Sequence, residues 1–150
     1  MTARVYASRR KRIVDALVYK LKTINGQGAF LTDVGENVHP RMKFWDEVDE
    51  FPCLHLNAGS ETREYQSAGV RDRFLTVTIR CYVQDEEAQE VLNELMEDVE
   101  TVIEDNSRLE YTDKANNIYY TQQITLISID TDEGVLEPLG VGEILIEVRY

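Results

Sequence analysis

From Ser8 to Ile24 the apolar residues Ile13, Val14, Leu17, Val18, Leu21 and Ile24 recur at three- and four-residue steps. That spacing predicts an amphipathic helix, with Ser8 as its N-cap and the "NGQG" of 25–28 as its stop. "AFLTDV" at 29–34 predicts a short strand, and 35–50, with its Gly, Pro and charges, an extended connection. In "FPCLHLN" (51–57), Leu54 and Leu56 point to one side of a strand while Cys53 and His55 point to the other. The polar run 58–72 predicts the loop of a long hairpin. "RFLTVTIRCYV" (73–83) then alternates cleanly. Leu75, Val77, Ile79, Cys81 and Val83 share one face; Phe74, Thr76, Thr78, Arg80 and Tyr82 share the other. This is the pattern of a half-buried antiparallel strand.

Asp85 stands where it would cap a second helix running to about 105, with Glu86 and Glu87 at the positive end of its dipole. Ala88, Val91, Leu92, Leu95, Met96, Val99, Val102 and Ile103 form its apolar stripe. Glu90, Glu94, Glu97, Asp98, Glu100 and Glu104 are assigned to its solvent face. Strands at 117–130 and 141–150, joined by the turn-rich "TDEGVLEPLG", complete the chain. The expected fold is α+β: an antiparallel sheet of four to five strands with both helices packed on one face. A single domain over 1–150 is expected, with 1–7 as an arm and 58–72 as a projecting hairpin loop. A chain of 150 residues can bury a core without staples.

Composition narrows the class. An apolar share of 43% with 29% charged residues fits a globular chain. No apolar run is long enough to cross a bilayer, and no apolar segment of signal-peptide length follows the first charges, so secretion is not expected and a cytosolic site of synthesis is. The net charge of −12 is unevenly spread. Residues 1–45 hold nine Lys/Arg against three Asp/Glu, a net of +6; residues 46–150 hold seven against twenty-five, a net of −18. The acidic part disfavours sustained DNA binding. A positive region beside a negative one suits contact between copies or with charged neighbours. Arg9, Arg10, Lys11 and Arg12 crowd the first helical turn, where the dipole disfavours cations; they are read as either a solvated end or a contact site. Trp45, beside Phe44, packs over an edge or anchors an interface.

Candidate chemistry is thin. A zinc site needs three or four ligands, and only His39, His55, Cys53 and Cys81 are on offer from Cys and His, with no ligand spacing. "NGQG" lacks the Lys-Ser/Thr of a phosphate loop, and "DTDEG" at 130–134 lacks the distal ligands of a calcium loop. No catalytic residue, metal or cofactor is assigned, and an enzyme is not expected.

The layout as a whole resembles the tail terminator, or tail completion, proteins of long-tailed bacteriophages, the minor tail protein U-like group. The likeness spans about 8–150. Its most characteristic pieces are the "FP" strand 51–57, the helix 85–105 after the Tyr82-Val83 strand end, and the closing "GEILIEVRY". The resemblance implies a virion protein that forms a homohexameric ring on the last ring of tail tube protein. Such a ring ends polymerisation and offers a surface to a head-side connector or neck protein, while DNA passes through without sequence-specific binding. Interface residues are then expected among Arg9, Arg10, Lys11, Arg12, Trp45, Glu61, Arg63, Glu64, Arg71, Arg73, Glu90, Glu94, Glu97 and Asp98. Two other readings stay open: a head–tail joining or neck protein, and a small α+β protein-binding adaptor.

Overall fold

A computed structural model describes residues 9–113 and 115–150. The expected cap Ser8 and the arm 1–7 lie outside the described residues. The elements run α1 (Arg9–Leu21), β1 (Val38–His39), β2 (Cys53–Tyr65) and β3 (Arg71–Gln84). They continue with α2 (Ala88–Asp105), β4 (Glu110–Thr112), β5 (Ile118–Tyr120), β6 (Gln123–Thr131) and β7 (Leu139–Arg149). Five strands form one sheet in the order β1-β2-β3-β7-β6, and β4 with β5 forms a separate small hairpin. The architecture is α+β, as expected, but the sheet is mixed. Val38 and His39 pair in parallel with Leu54 and His55, so the first edge strand reaches the sheet through a connection rather than a hairpin.

Alternation sets the faces. Leu54, Cys81 and Gly142 lie side by side across the three central strands, as do Leu56, Ile79 and Ile144. These residues and the apolar positions of α1 and α2 form one buried cluster. Gly140 and Gly142 let α2 come close to β7. A Cβ on Gly140 would sit 2.7 Å from Val83 Cγ2 and 3.2 Å from the Ala88 carbonyl oxygen; one on Gly142 would sit 2.8 Å from Met96 Sδ. Helix–sheet contact of this closeness leaves no room for a side chain.

Several sequence expectations change. The segment 29–34 is not a strand, because its amides bond elsewhere. Leu31 N and Thr32 N donate to the Asp98 carboxylate at 3.0 and 2.7 Å, and Val34 N donates to the Ile24 carbonyl. The run 58–72 is mostly paired strand: β2 and β3 stay paired, across one register shift, to Tyr65 and Arg71, leaving a short turn at 66–70. The stretch 117–130 is broken at Thr121, which is 1% exposed. Its hydroxyl accepts from Leu109 N at 2.8 Å and donates to the Ser107 carbonyl, which splits β5 from β6. Finally, 40–52 crosses the sheet face opposite the core. Tyr82 donates its hydroxyl to the Lys43 carbonyl at 2.5 Å, and His55 Nδ1 meets the Arg41 carbonyl at 2.8 Å. Residues 53–56 are therefore buried on both faces.

Candidate functional site

One feature of β2 decides where its polar residues go. Between Ala58 and Glu61 a bulge adds one residue to β2 against β3. The inner set changes from Leu54, Leu56 and Ala58 to Glu61 and Arg63, since one extra residue inverts the phase of a strand. The Glu61 side chain is only 7% exposed. It accepts a short hydrogen bond from the Tyr150 hydroxyl and a 2.8 Å bond from Arg63 Nε, and Arg10 Nε stands 3.9 Å away. Burial alone would raise the Glu61 pKa. The Tyr150 bond and the two guanidinium groups outweigh it and hold the carboxyl below its ordinary value. Burial, reinforced by that same carboxylate, pushes the Tyr150 phenol up, so it remains a donor.

Arg9 completes this node from the helix side. Its Nε and Nη2 donate to the Tyr111 hydroxyl at 3.0 and 2.5 Å. Its guanidinium lies 4.4 Å from the Tyr119 ring centre and 5.1 Å from that of Tyr150, within cation–π range. Arg73 stands over the same Tyr150 ring at 5.6 Å, and Arg10 Nη2 donates to the Gly59 carbonyl. Arg9, Arg10, Glu61 and Arg73 are thus brought together as an internal tie between α1, the β2–β3 ribbon, the β4–β5 hairpin and β7. Sequence reasoning missed the three tyrosines because Tyr111 and Tyr119 come from a short hairpin without an apolar pattern. They meet Arg9, and Tyr150 at the end of β7, only in the fold.

The remaining candidates separate. Lys11 is exposed and paired with Asp15 at 3.4 Å. Arg12 and Lys20 are half-buried, with no ion pair among the described residues. Between them Tyr19, 72% exposed, stands opposite Ile118, 59% exposed. The groove formed there by α1 and the β4–β5 hairpin has a volume of about 390 Å³. An aromatic lying off the apolar stripe of α1 was the available sequence signal for it. Arg63, Glu64 and Arg71 are exposed on the ribbon, Arg71 over the Tyr65 ring at 5.7 Å. Glu90 and Glu97 are exposed on α2, and Glu94 is half-buried.

Asp98 is corrected: it is 2% exposed, inside rather than on the solvent face of α2. Its carboxylate is turned toward 31–32, where three N–H and O–H donors converge. Trp45 is half covered and half open. It is 49% exposed and Phe44 is 68% exposed, so part of each ring is open to a partner and part is covered by the fold.

Cys53 and Cys81 sit on neighbouring strands but face opposite sides of the sheet, Cys53 across from Tyr82 and Cys81 across from Leu54. Burial, with Glu50 nearby, pushes the Cys53 thiol up to about 12. Both thiols are therefore protonated at neutral pH and weakly nucleophilic. His39 and His55 stack with centroids 5.0 Å apart. Among the described residues no group of three or more His, Cys, Asp or Glu is placed to hold a metal ion, and no helix is long and apolar enough to cross a membrane. What the arrangement offers is surfaces.

Comparison with known proteins agrees with that. A family model described as the bacteriophage tail tube terminator protein matches residues 7–150. The chain is 33% identical over 149 residues to the tail tube terminator protein p142 of Escherichia phage T5, an alignment covering 94% of this chain and 92% of that protein.

Proposed function

The chain belongs to the bacteriophage tail tube terminator family, structural components of the virion tail, and from that premise we propose that it ends tube growth as a closed ring. Six copies seat on the last ring of tube protein at the head-proximal end. Their far side receives the head-side connector or neck protein, and DNA passes through the hole without sequence-specific contact. The observation that carries this reading is the presence of unlike surfaces on one subunit. A ring closed by rotation joins two different patches on each copy, and here a basic helix α1 and acidic stretches at 46–50 and on α2 provide them.

In this reading both helices lie on one face of the sheet, and the β2–β3 ribbon projects from the ring. The turn 66–70, with Glu64 and Arg71 beside it, meets the tube or the connector. A free acidic surface suits the lining of the hole, because fixed cations would hold the duplex by its phosphates. Cryo-electron microscopy of intact virions tests the proposal. A single sixfold collar between tube and head, with the ribbon turn touching one of them, is expected. An isolated copy, or a location at the distal end of the tail, would overturn it.

A further inference from the structure

We infer that the aromatic–acidic segment 44–50 of one subunit docks into the groove between α1 and the β4–β5 hairpin of the next copy. This rests on the ring reading above and names its subunit contact. The segment reads Phe-Trp-Asp-Glu-Val-Asp-Glu: two aromatics, then four acids and no base. Phe44 and Trp45 are 68% and 49% exposed. Asp46, Glu47, Asp49 and Glu50 are all exposed, with no ion pair among the described residues. Exposed aromatics with a rim of unpaired charge have the make-up of an interface anchor. The residues just before the segment are held, since the Lys43 carbonyl accepts from Tyr82 and the Arg41 carbonyl meets His55, and within it Glu47 N donates to the Phe44 carbonyl. Little ordering entropy would be lost on docking.

The groove has the opposite character. Tyr19 and Ile118 give it apolar walls, and Arg12 and Lys20 stand at its mouth. Two acids also line it: Asp15 is offset by Lys11 at 3.4 Å, whereas Glu110, on the hairpin wall, accepts from the neutral Tyr120 hydroxyl at 3.4 Å, so the positive wall is the α1 side. The whole of α1 carries five bases against one acid. At about 390 Å³ the groove falls within the ~300–1,000 Å³ range of binding clefts. Segment and groove share no residue. The groove belongs to the helix layer, whereas 44–50 is part of the stretch 40–52 that crosses the opposite sheet face. One copy can therefore use both at once, as a head-to-tail contact requires.

The test uses the full chain carrying Asp49→Cys together with Glu110→Cys, both exposed and at the rim of the contact, assembled on tails in infected cells and treated with a short bis-maleimide. Both native cysteines are buried, so the unaltered chain should run as a monomer on a denaturing gel. The double variant should give a ladder ending at the copy number of the ring, and each single variant should stay monomeric. Arg12→Glu with Lys20→Glu should weaken the ladder, and adding Asp46→Lys with Glu47→Lys should restore it. Circular dichroism verifies that these surface variants fold. Rings seen by microscopy without any ladder from the double variant would overturn the docking contact while leaving the ring intact. Failure of the charge reversal to restore the ladder would overturn the pairing of Arg12 and Lys20 with 46–47. Absence of rings from unaltered tails would overturn both the ring and the contact.

Discussion

Replacing Asp98 by alanine removes the acceptor of three donors at once: Leu31 N, Thr32 N and Thr32 Oγ1, at 3.0, 2.7 and 2.6 Å. Leu31 is 59% exposed, so water can reach its amide. Thr32 is 8% exposed and Asp98 2%, so the other two donors stay dry. An unsatisfied buried donor costs about 1–3 kcal/mol. The better helix propensity of alanine returns roughly half a kcal/mol. The expected loss is therefore about 2–4 kcal/mol, a large part of the ~5–15 kcal/mol that holds a domain folded. With a urea slope of about 2 kcal/mol/M, the unfolding midpoint should fall by roughly 1–2 M.

Glu97→Ala, one residue earlier on the exposed face, is the control and should stay within about 0.5 kcal/mol of the unaltered protein. Thr32→Val should also be non-additive with Asp98→Ala, by at least about 0.5 kcal/mol in a double-mutant cycle. If Asp98→Ala instead matched Glu97→Ala, the carboxylate would be in solvent, where the helical pattern alone had put it. The account of how 25–34 is held would then fail.

Two further outcomes follow from the packing and the charges. Gly140→Ala should destabilise by about 1–3 kcal/mol in the same urea assay, because its Cβ meets the stiff Val83 side chain and the α2 backbone, which cannot yield cheaply. Acidification should lower the melting temperature in two stages. Burial holds the His55 pKa below its ordinary 6.5, so the unfolded chain binds the extra proton first and stability drops as pH falls from about 6.5. Glu61 and Asp113 are held below their ordinary 4.5 and 3.8, so their contribution is intact above those values and is lost as pH falls through the lower folded ones. His55→Gln should erase the first stage and leave the second; retention of the first stage would refute its assignment to His55.

Legibility followed the range of the interactions. Helices α1 and α2 and strands β3 and β7 were readable because each buries one stripe or face against a single core, which imposes a 3.6 or 2.0 period. The ribbon 61–73 was not, because a two-stranded extension with both faces near solvent has no apolar alternation to detect. β1 spans only Val38–His39, and its partner lies beyond a long connection, so no local signal exists. The segment 29–34 has strand-like residues but no neighbouring strand; a carboxylate from α2 meets its amides instead. The site behaved in the same way. Exposed charges such as Lys11, Arg63 and Glu90 lie at the surface as the pattern suggests. Those tied to another element, Arg9, Arg10, Glu61 and Asp98, are held by partners 49 to 102 residues away.

These ties change what charge can do between copies. With Arg9 held among tyrosines and Arg10 by Glu61, the α1 cations without a tie to another element among the described residues are Lys11, Arg12 and Lys20. Exposed ion pairs are worth about 0–1 kcal/mol each and weaken with salt. A few of them cannot hold a ring against the cost of association. Trp45 is the stronger term: covering its exposed half, roughly 100 Å², is worth about 2.5 kcal/mol at 25 cal/mol per Å². In the proposed contact the aromatics therefore supply affinity. Asp46 and Glu47 against Arg12 and Lys20 fix which neighbour docks and in what orientation, which is where charge complementarity acts most strongly.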